Sequence, residues 1–263
     1  MYYKNKIVWI TGGSSGIGEA MAKQLNKEGA TLIISSRRME ELQRVKKSCE
    51  FPDKVECIVL DVTDFAAVND TAKKLIERYH RIDIAILNAG VSQRSLAAET
   101  ALSVDQRLMN INYFGAISVA KALLPTMIQH QLGHFIVISS LSGKFGVSLR
   151  TAYAASKHAL HGFFDSLRAE VHEHNIKVTL ICPGYIRTNI SVNALVGEGK
   201  THGVMDQNQD KGLTPEAAAK KILRAARKGK HEIAFGGKEV ISVYLKRFFP
   251  KLLASILQKE RAK

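Results

Sequence analysis

Short apolar runs alternate along most of this chain with longer stretches in which apolar residues recur every three or four positions. Residues 6–11, 30–36, 55–60, 83–87, 134–139, 177–181 and 231–235 are β-branched or otherwise apolar and bounded by polar, Gly or Asn residues, which predicts strands. Residues 19–28, 39–47, 64–79, 103–129, 152–172 and 215–228 carry the helical period. Gly29 is placed to end the first helix, Thr63 to cap the third, and Thr214 with Pro215 to open the sixth. Regular alternation of this kind predicts an α/β domain, a parallel sheet covered by helices on both faces. Nothing marks a second domain, so residues 1–263 read as one unit.

The alternation lapses twice. Residues 185–212 are polar, Gly-containing and long for a connection, which reads as a substrate lid or a mobile insertion, the lid being preferred. The tail, residues 239–263, places Ile241, Tyr244, Leu245, Phe248, Leu252 and Ile256 at helical spacing among Lys246, Arg247, Lys251, Lys259, Arg261 and Lys263, with Pro250 opening a new turn. A stripe of this kind usually packs on the protein body. Peripheral contact with a membrane interface, cover for an active site and a subunit contact are its other fates.

Composition narrows the function classes. The 46% hydrophobic content suffices for a sizeable core. Met1 to Lys6 lead directly into an apolar segment too short for a secretory leader, and no uninterrupted apolar run has transmembrane length. Cys49, Cys57 and Cys182 are odd in number and lack metal-type spacing, pointing to a reduced, cytoplasmic chain and no metal. His158 and His161 share a helix without a third ligand in sequence, so packing or surface places are expected of them, and Cys182 has no basic neighbour there, so packing is expected of it. A net charge of +14 suits an acidic partner, but no aromatic-interleaved basic run or nucleic-acid signature accompanies it, so no nucleic acid is expected.

Two stretches carry chemistry. Gly12, Ser14, Ser15, Gly16, Ile17 and Gly18 form a turn between a strand and a helix, where absent Cβ atoms and a helix N-terminus favour a pyrophosphate. A tight turn with no ligand is the alternative. Tyr153 and Lys157 lie four apart on one helical face, so an ammonium could hold a phenol's pKa down for acid/base work. Tyr2 and Lys6 show the same spacing, so that pair alone is weak evidence.

The glycine turn follows Thr11 in the pattern T-G-x-x-x-G-x-G, and so resembles the short-chain dehydrogenase/reductase family. Asp61 with Val62, the Asn88-Ala89-Gly90 motif, Asn112, Ser140, Tyr153 with Lys157, and Pro183, Gly184, Ile186 and Thr188 in P-G-x-x-x-T follow in the family's order. Stretches around Leu149 to Tyr153, Lys157 to Leu160 and Thr188 to Ser191 are similar to the branch near 11β-hydroxysteroid dehydrogenases and membrane-associated dehydrogenase/reductases. The resemblance implies a Rossmann-type doubly wound sheet of about seven strands in the order 3-2-1-4-5-6-7. It implies a homodimer or homotetramer and an Asn112, Ser140, Tyr153, Lys157 tetrad: Tyr153 as proton donor, Ser140 on the substrate oxygen, Asn112 holding a water. By composition alone Ser139 is an equal candidate hydroxyl, and Asn112 an ordinary helix-bending residue.

The expected cofactor is NADP(H) in preference to NAD(H). Ser36 stands where an NAD site usually has an acid, and Arg37 and Arg38 suit a 2′-phosphate, unless they are merely solvated. The expected activity is that of a carbonyl reductase or alcohol dehydrogenase on an apolar steroid-like, retinoid-like or acyl substrate. A 3-oxoacyl-[acyl-carrier-protein] reductase and a non-catalytic cofactor-binding scaffold are the alternatives.

Overall fold

The computed structural model describes residues 2–261. Seven strands, β1 (Ile7–Thr11), β2 (Thr31–Ser36), β3 (Val55–Val59), β4 (Ile84–Leu87), β5 (Gly133–Ile138), β6 (Ile176–Pro183) and β7 (Glu232–Phe235), form one parallel sheet. Its order is β3-β2-β1-β4-β5-β6-β7. The order reverses between β1 and β4, so their C-terminal ends open a crevice there.

Helices α1 (Gly16–Lys27), α2 (Met39–Lys47), α3 (Phe65–Tyr79), α4 (Leu102–Met109), α5 (Gly115–His130) and α6 (Thr151–Glu170) follow the first five strands. After β6 come the single turn α7 (Gln207–Asp210), then α8 (Pro215–Arg227), α9 (Ile241–Phe248) and α10 (Pro250–Arg261). Burial of β1, β2, β4, β5 and β6 on both faces explains their near-continuous apolar runs, while the edge strands β3 and β7 stay partly exposed. Val8, Ile10, Leu32 and Ile34 pack under α1, α2 and α8, while Trp9, Ile33, Phe135 and Val137 pack under α3, α5 and α6. Each such burial is worth about 1.5–3 kcal/mol, and together they fix the crevice's walls.

Local chemistry corrects the expected boundaries. Asp64, not Thr63, caps α3 by accepting from Ala67 N at 2.9 Å. Thr63 is drawn instead to Asp61, whose Oδ1 accepts both its N–H and its hydroxyl. Helix α1 begins at Gly16, because positive φ at Gly12 and Gly16 turns the chain into it directly. The long helix expected over 103–129 is interrupted by a π-turn at Asn110–Phe114. By length and hydropathy the segment Leu102–His130 could cross a membrane, yet Val119, Leu123 and Met127 on it are buried against the sheet.

Residues 185–212 fold onto the body. Leu195 N donates to Ser92 O and Arg94 N donates to Leu195 O, so this segment lies along the chain that leaves β4. Ile186, Ser191, Ala194 and Leu195 are buried in it. The tail divides into two faces. Leu253, with Val240, Val243, Leu245 and Leu257, packs against Leu141, Phe145 and Cys182. Ile241, Tyr244, Phe248, Leu252 and Ile256, the residues expected to pack, stay exposed instead, because the inward position goes to the residues between them.

Candidate active site

The glycine turn makes one wall of the crevice. A Cβ on Gly18 would strike the carbonyl oxygen of Gly12, and one on Gly12 would come within 2.9 Å of the Ala89 backbone. Asn88 Nδ2 donates to the carbonyls of Thr11 and Gly12 at 3.1 and 2.9 Å, and Thr11 Oγ1 accepts from Asn88 N and Ala89 N. The Asn88-Ala89-Gly90 segment is thereby locked to the turn. Ser15 provides no side-chain cap for α1, so the helix offers open N–H groups to an anion. Thr188 comes to 3.1 Å from where a Gly16 Cβ would sit, so the segment after β6 roofs the turn, while Gly184 has Glu239 against its Cα. Val62 packs on Gly115, which has no room for a Cβ there. A bare turn, an uncapped helix and a roof fit a dinucleotide.

At the end of β2, Ser36 Oγ accepts from Arg38 N at 3.3 Å, and both Arg37 and Arg38 are exposed. Arg44, by contrast, is spent on Glu19, Glu41 and the Ser14 carbonyl. Ser14 is therefore held from behind.

The other wall is α6. Tyr153 and Lys157 are both buried on it. Lys157 Nζ donates to Ile138 O at 2.8 Å and stands 5.8 Å from the centroid of the Tyr153 ring. Burial brings the Lys157 ammonium down to about 8. Burial pushes the Tyr153 phenol above its ordinary value, while a hydrogen bond with Ser140 and the charge of Arg150 pull against that rise. In this arrangement the Lys157 ammonium is turned to Ile138, and the groups opposing the effect of burial on the phenol are Ser140 and Arg150.

The two candidate serines separate. Ser140 Oγ faces Tyr153 and accepts from Ser142 N at 3.1 Å. Ser139 is turned into the core, where its hydroxyl donates to Lys157 O at 3.2 Å and lies 3.0 Å from His161 Nε2. Asn112 sits in the π-turn, and its side chain bonds Val91 N, Val91 O and Ser156 Oγ at 2.8, 3.0 and 2.9 Å. It therefore clamps the loop after Gly90 to α6. A Cβ on Gly90 would lie 3.0 Å from Asn112 Oδ1 and 3.5 Å from Lys157 Nζ, so these three residues converge on one point.

Several residues escaped sequence reasoning. Gln93 is fully buried, and its Oε1 accepts from Ala152 N at 2.9 Å and Tyr153 N at 3.2 Å, capping α6 from another segment. Asp206, in the 185–212 segment, pairs with both Arg94 and Arg150. His161 is a buried partner of Cys182, 3.6 Å from its sulfur, where no basic neighbour was expected. Glu232 lies 3.4 Å from His161 Nδ1 and accepts from Lys144, so His161, Cys182 and Glu232 form one cluster. Burial pushes the Cys182 thiol up to about 12, against thiolate chemistry. His158, three residues before His161 on α6, is exposed.

The family model for short chain dehydrogenase matches residues 6–200, and the chain belongs to that family. It is 41% identical to "Dehydrogenase/reductase SDR family member 7B" of Xenopus laevis, over 97% of this chain and 82% of the relative. A short-chain dehydrogenase from Streptomyces avermitilis has the same fold, with a TM-score of 0.82 and 30% identity over 98% of each chain. Serine dehydrogenase complexed with NADP+ superposes with a TM-score of 0.78 and 26% identity, covering 88% of this chain and 94% of that one. The chain is an oxidoreductase of the NAD(P)-dependent short-chain class, acting on CH–OH donors.

Proposed function

We propose that the chain is an NADP(H)-dependent oxidoreductase that interconverts a carbonyl and a secondary alcohol on an apolar substrate, with Tyr153 as the acid/base. The observation that carries this reading is that Ser140 faces the Tyr153 phenol while Lys157 Nζ lies 5.8 Å from the same ring and, with Asn112, borders Gly90. The cofactor, when bound, supplies or accepts the hydride. Reduction leaves charge on the substrate oxygen, which calls for a hydrogen-bond donor and a proton source at that atom. Ser140 serves as the first and Tyr153 as the second. Arg150 favours the phenolate, and Lys157 holds a cofactor hydroxyl beside it. Asn112 holds the Gly90 loop and α6 in register, and with it the path by which a proton reaches Lys157. Gly12, Ser14, Ser15, Gly16, Ile17 and Gly18 receive the pyrophosphate; Arg37 and Arg38, with Ser36 between them and the sheet, receive a 2′-phosphate. Asp61, Val62 and Asn88 to Gly90 border the adenine side, and Pro183, Gly184, Ile186 and Thr188 the nicotinamide side.

Two features bear on the substrate and assembly. The charge of +14 favours an acidic carrier protein as substrate donor, which keeps a 3-oxoacyl reductase as the second reading. Phe65, at the start of α3, and Phe114, at the end of the π-turn before α5, leave their rings exposed with centroids 6.5 Å apart, which supports a homodimer or homotetramer through that face. The testing experiment is NADPH and NADH turnover across a panel of steroid, retinoid and acyl ketones and carrier-bound 3-oxoacyl thioesters. Turnover of free apolar ketones supports the main reading, turnover confined to the thioesters supports the second, and no turnover with intact cofactor binding points to a scaffold.

A further inference from the structure

Six large apolar side chains lie exposed on the last two helices and the residue that joins them. Ile241, Tyr244 and Phe248 run along α9, and Phe249, Leu252 and Ile256 continue the row around the Pro250 break. Phe248 is 67% exposed and Phe249 62%, although both helices already bury a different face against Leu141, Phe145 and Cys182. The row is thus not a stripe awaiting the protein body, since the body is already packed. Large apolar side chains left exposed in this number on neighbouring turns of a folded chain mark a site of contact.

The charge pattern selects the partner. Between Val240 and Lys259 the chain contains Lys246, Arg247, Lys251 and Lys259 and no acidic residue. All four cations are exposed. A second copy docking on this face by a two-fold axis would bring these cations together, with Glu260 the one acid between Val240 and Arg261 to offset them. An anionic lipid surface does the reverse: aromatic and aliphatic side chains enter the headgroup boundary, and lysines and arginines remain at the phosphates.

The attachment of the tail gives the contact a position in the molecule. Glu239, which precedes α9, accepts from Tyr185 N at 3.0 Å and from Gly237 N at 3.0 Å, tying the tail's root to the segment after Gly184. Leu141, under Leu253, directly follows Ser140. One layer of helix therefore separates the exposed row from the wall of the crevice.

We infer that the exposed face of α9 and α10 is an interfacial docking surface for anionic phospholipid membranes. It is independent of the catalytic reading, and vesicle binding is measured without turnover. The test is flotation of the full chain with phosphatidylcholine vesicles and with vesicles that also contain phosphatidylserine. Two variants accompany it: Lys246→Gln with Arg247→Gln and Lys251→Gln, and Phe248→Ser with Phe249→Ser and Leu252→Ser. All six positions are exposed, and thermal melts check that both variants fold. The wild-type chain binds phosphatidylserine vesicles, and added salt weakens binding. Each variant lowers affinity, the charge variant by about a hundredfold. Trp9 is the chain's one tryptophan and is buried, so Phe248→Trp supplies a reporter whose emission shifts to the blue on insertion. Failure of the wild-type chain to float, binding unchanged in both variants, or an oligomer that the serine variant dissociates without any vesicle binding would each overturn the inference.

Discussion

Gln93 and Tyr153 are joined through the backbone: the buried carboxamide oxygen of Gln93 accepts the Tyr153 N–H at 3.2 Å and the Ala152 N–H at 2.9 Å. The opposite end of the amide, Nε2, reaches the hydroxyls of Ser95, Thr100 and Thr151 at 3.3 to 3.4 Å. A side chain from the loop after β4 thus fixes the start of the helix that carries the phenol. Gln93→Leu leaves two buried N–H groups without an acceptor and costs about 1–3 kcal/mol in thermal or denaturant unfolding. Because Tyr153 moves with the helix start, kcat falls roughly ten- to a hundredfold while KM changes little. A variant with wild-type kcat would show that the cap is dispensable for catalysis.

Asp206 neutralises two mostly buried guanidiniums, Arg94 on the body and Arg150 at the start of α6. Burial, and then the charge of Arg150, already lower the pKa of Arg94. Asp206→Asn retains the capping of α7 that Asp206 provides to Asn208 N and Gln209 N, and removes only the charge. The two arginines then face each other unpaired, at a cost of about 3 kcal/mol. Hydrogen exchange should rise over residues 191–209, and unchanged protection there would mean that Asp206 does not latch the segment.

Glu232 is held down to about 2, first by His161 and then by Lys144, with burial opposing them. A depressed carboxylate contributes stability that is present above its unfolded value of 4.5 and is lost as pH falls toward 2. Lys144→Met should therefore destabilise the protein at pH near 6, with the difference shrinking as pH is lowered through that window. Denaturant midpoints across the range provide the readout, and a constant difference would contradict the assignment.

For the cofactor, Ser36→Asp with Arg37→Ala places a carboxylate where a 2′-phosphate would lie and removes one cation. Preference for NADPH over NADH, measured as a ratio of kcat/KM, should fall by at least about tenfold, since a charge-assisted pair is worth about 1.5–3 kcal/mol. An unchanged ratio would remove Ser36 and Arg37 from the site.

The strands were legible because most of β1, β2, β4, β5 and β6 is buried and therefore apolar, whereas their order came from the resemblance carried by the motifs, among them a turn whose Gly12 and Gly18 have no room for a Cβ. Tyr153 and Lys157 were legible through their place in the ordered series of motifs, since Tyr2 and Lys6 share their spacing. Gln93, Asp206 and the His161 cluster were not, since each acts across a distance in sequence that no period encodes. The choice between Ser139 and Ser140 was likewise undecidable from composition, because adjacent residues leaving a strand point to opposite sides and only the packing of His161 shows which side is core. The tail's two faces were mixed in the sequence, because a buried and an exposed apolar row both follow the same helical spacing.

The central claim is that Tyr153 transfers the proton. Tyr153→Phe keeps the buried ring and removes only the hydroxyl, so the fold and NADPH binding should be unchanged. Turnover of whichever carbonyl the panel identifies should fall by about a thousandfold or more, as loss of a general acid does. NADPH titration by fluorescence alongside steady-state turnover of this variant is the most direct measurement: retained binding with lost turnover is the predicted result, and a Phe variant that turns over at the wild-type rate would contradict the account.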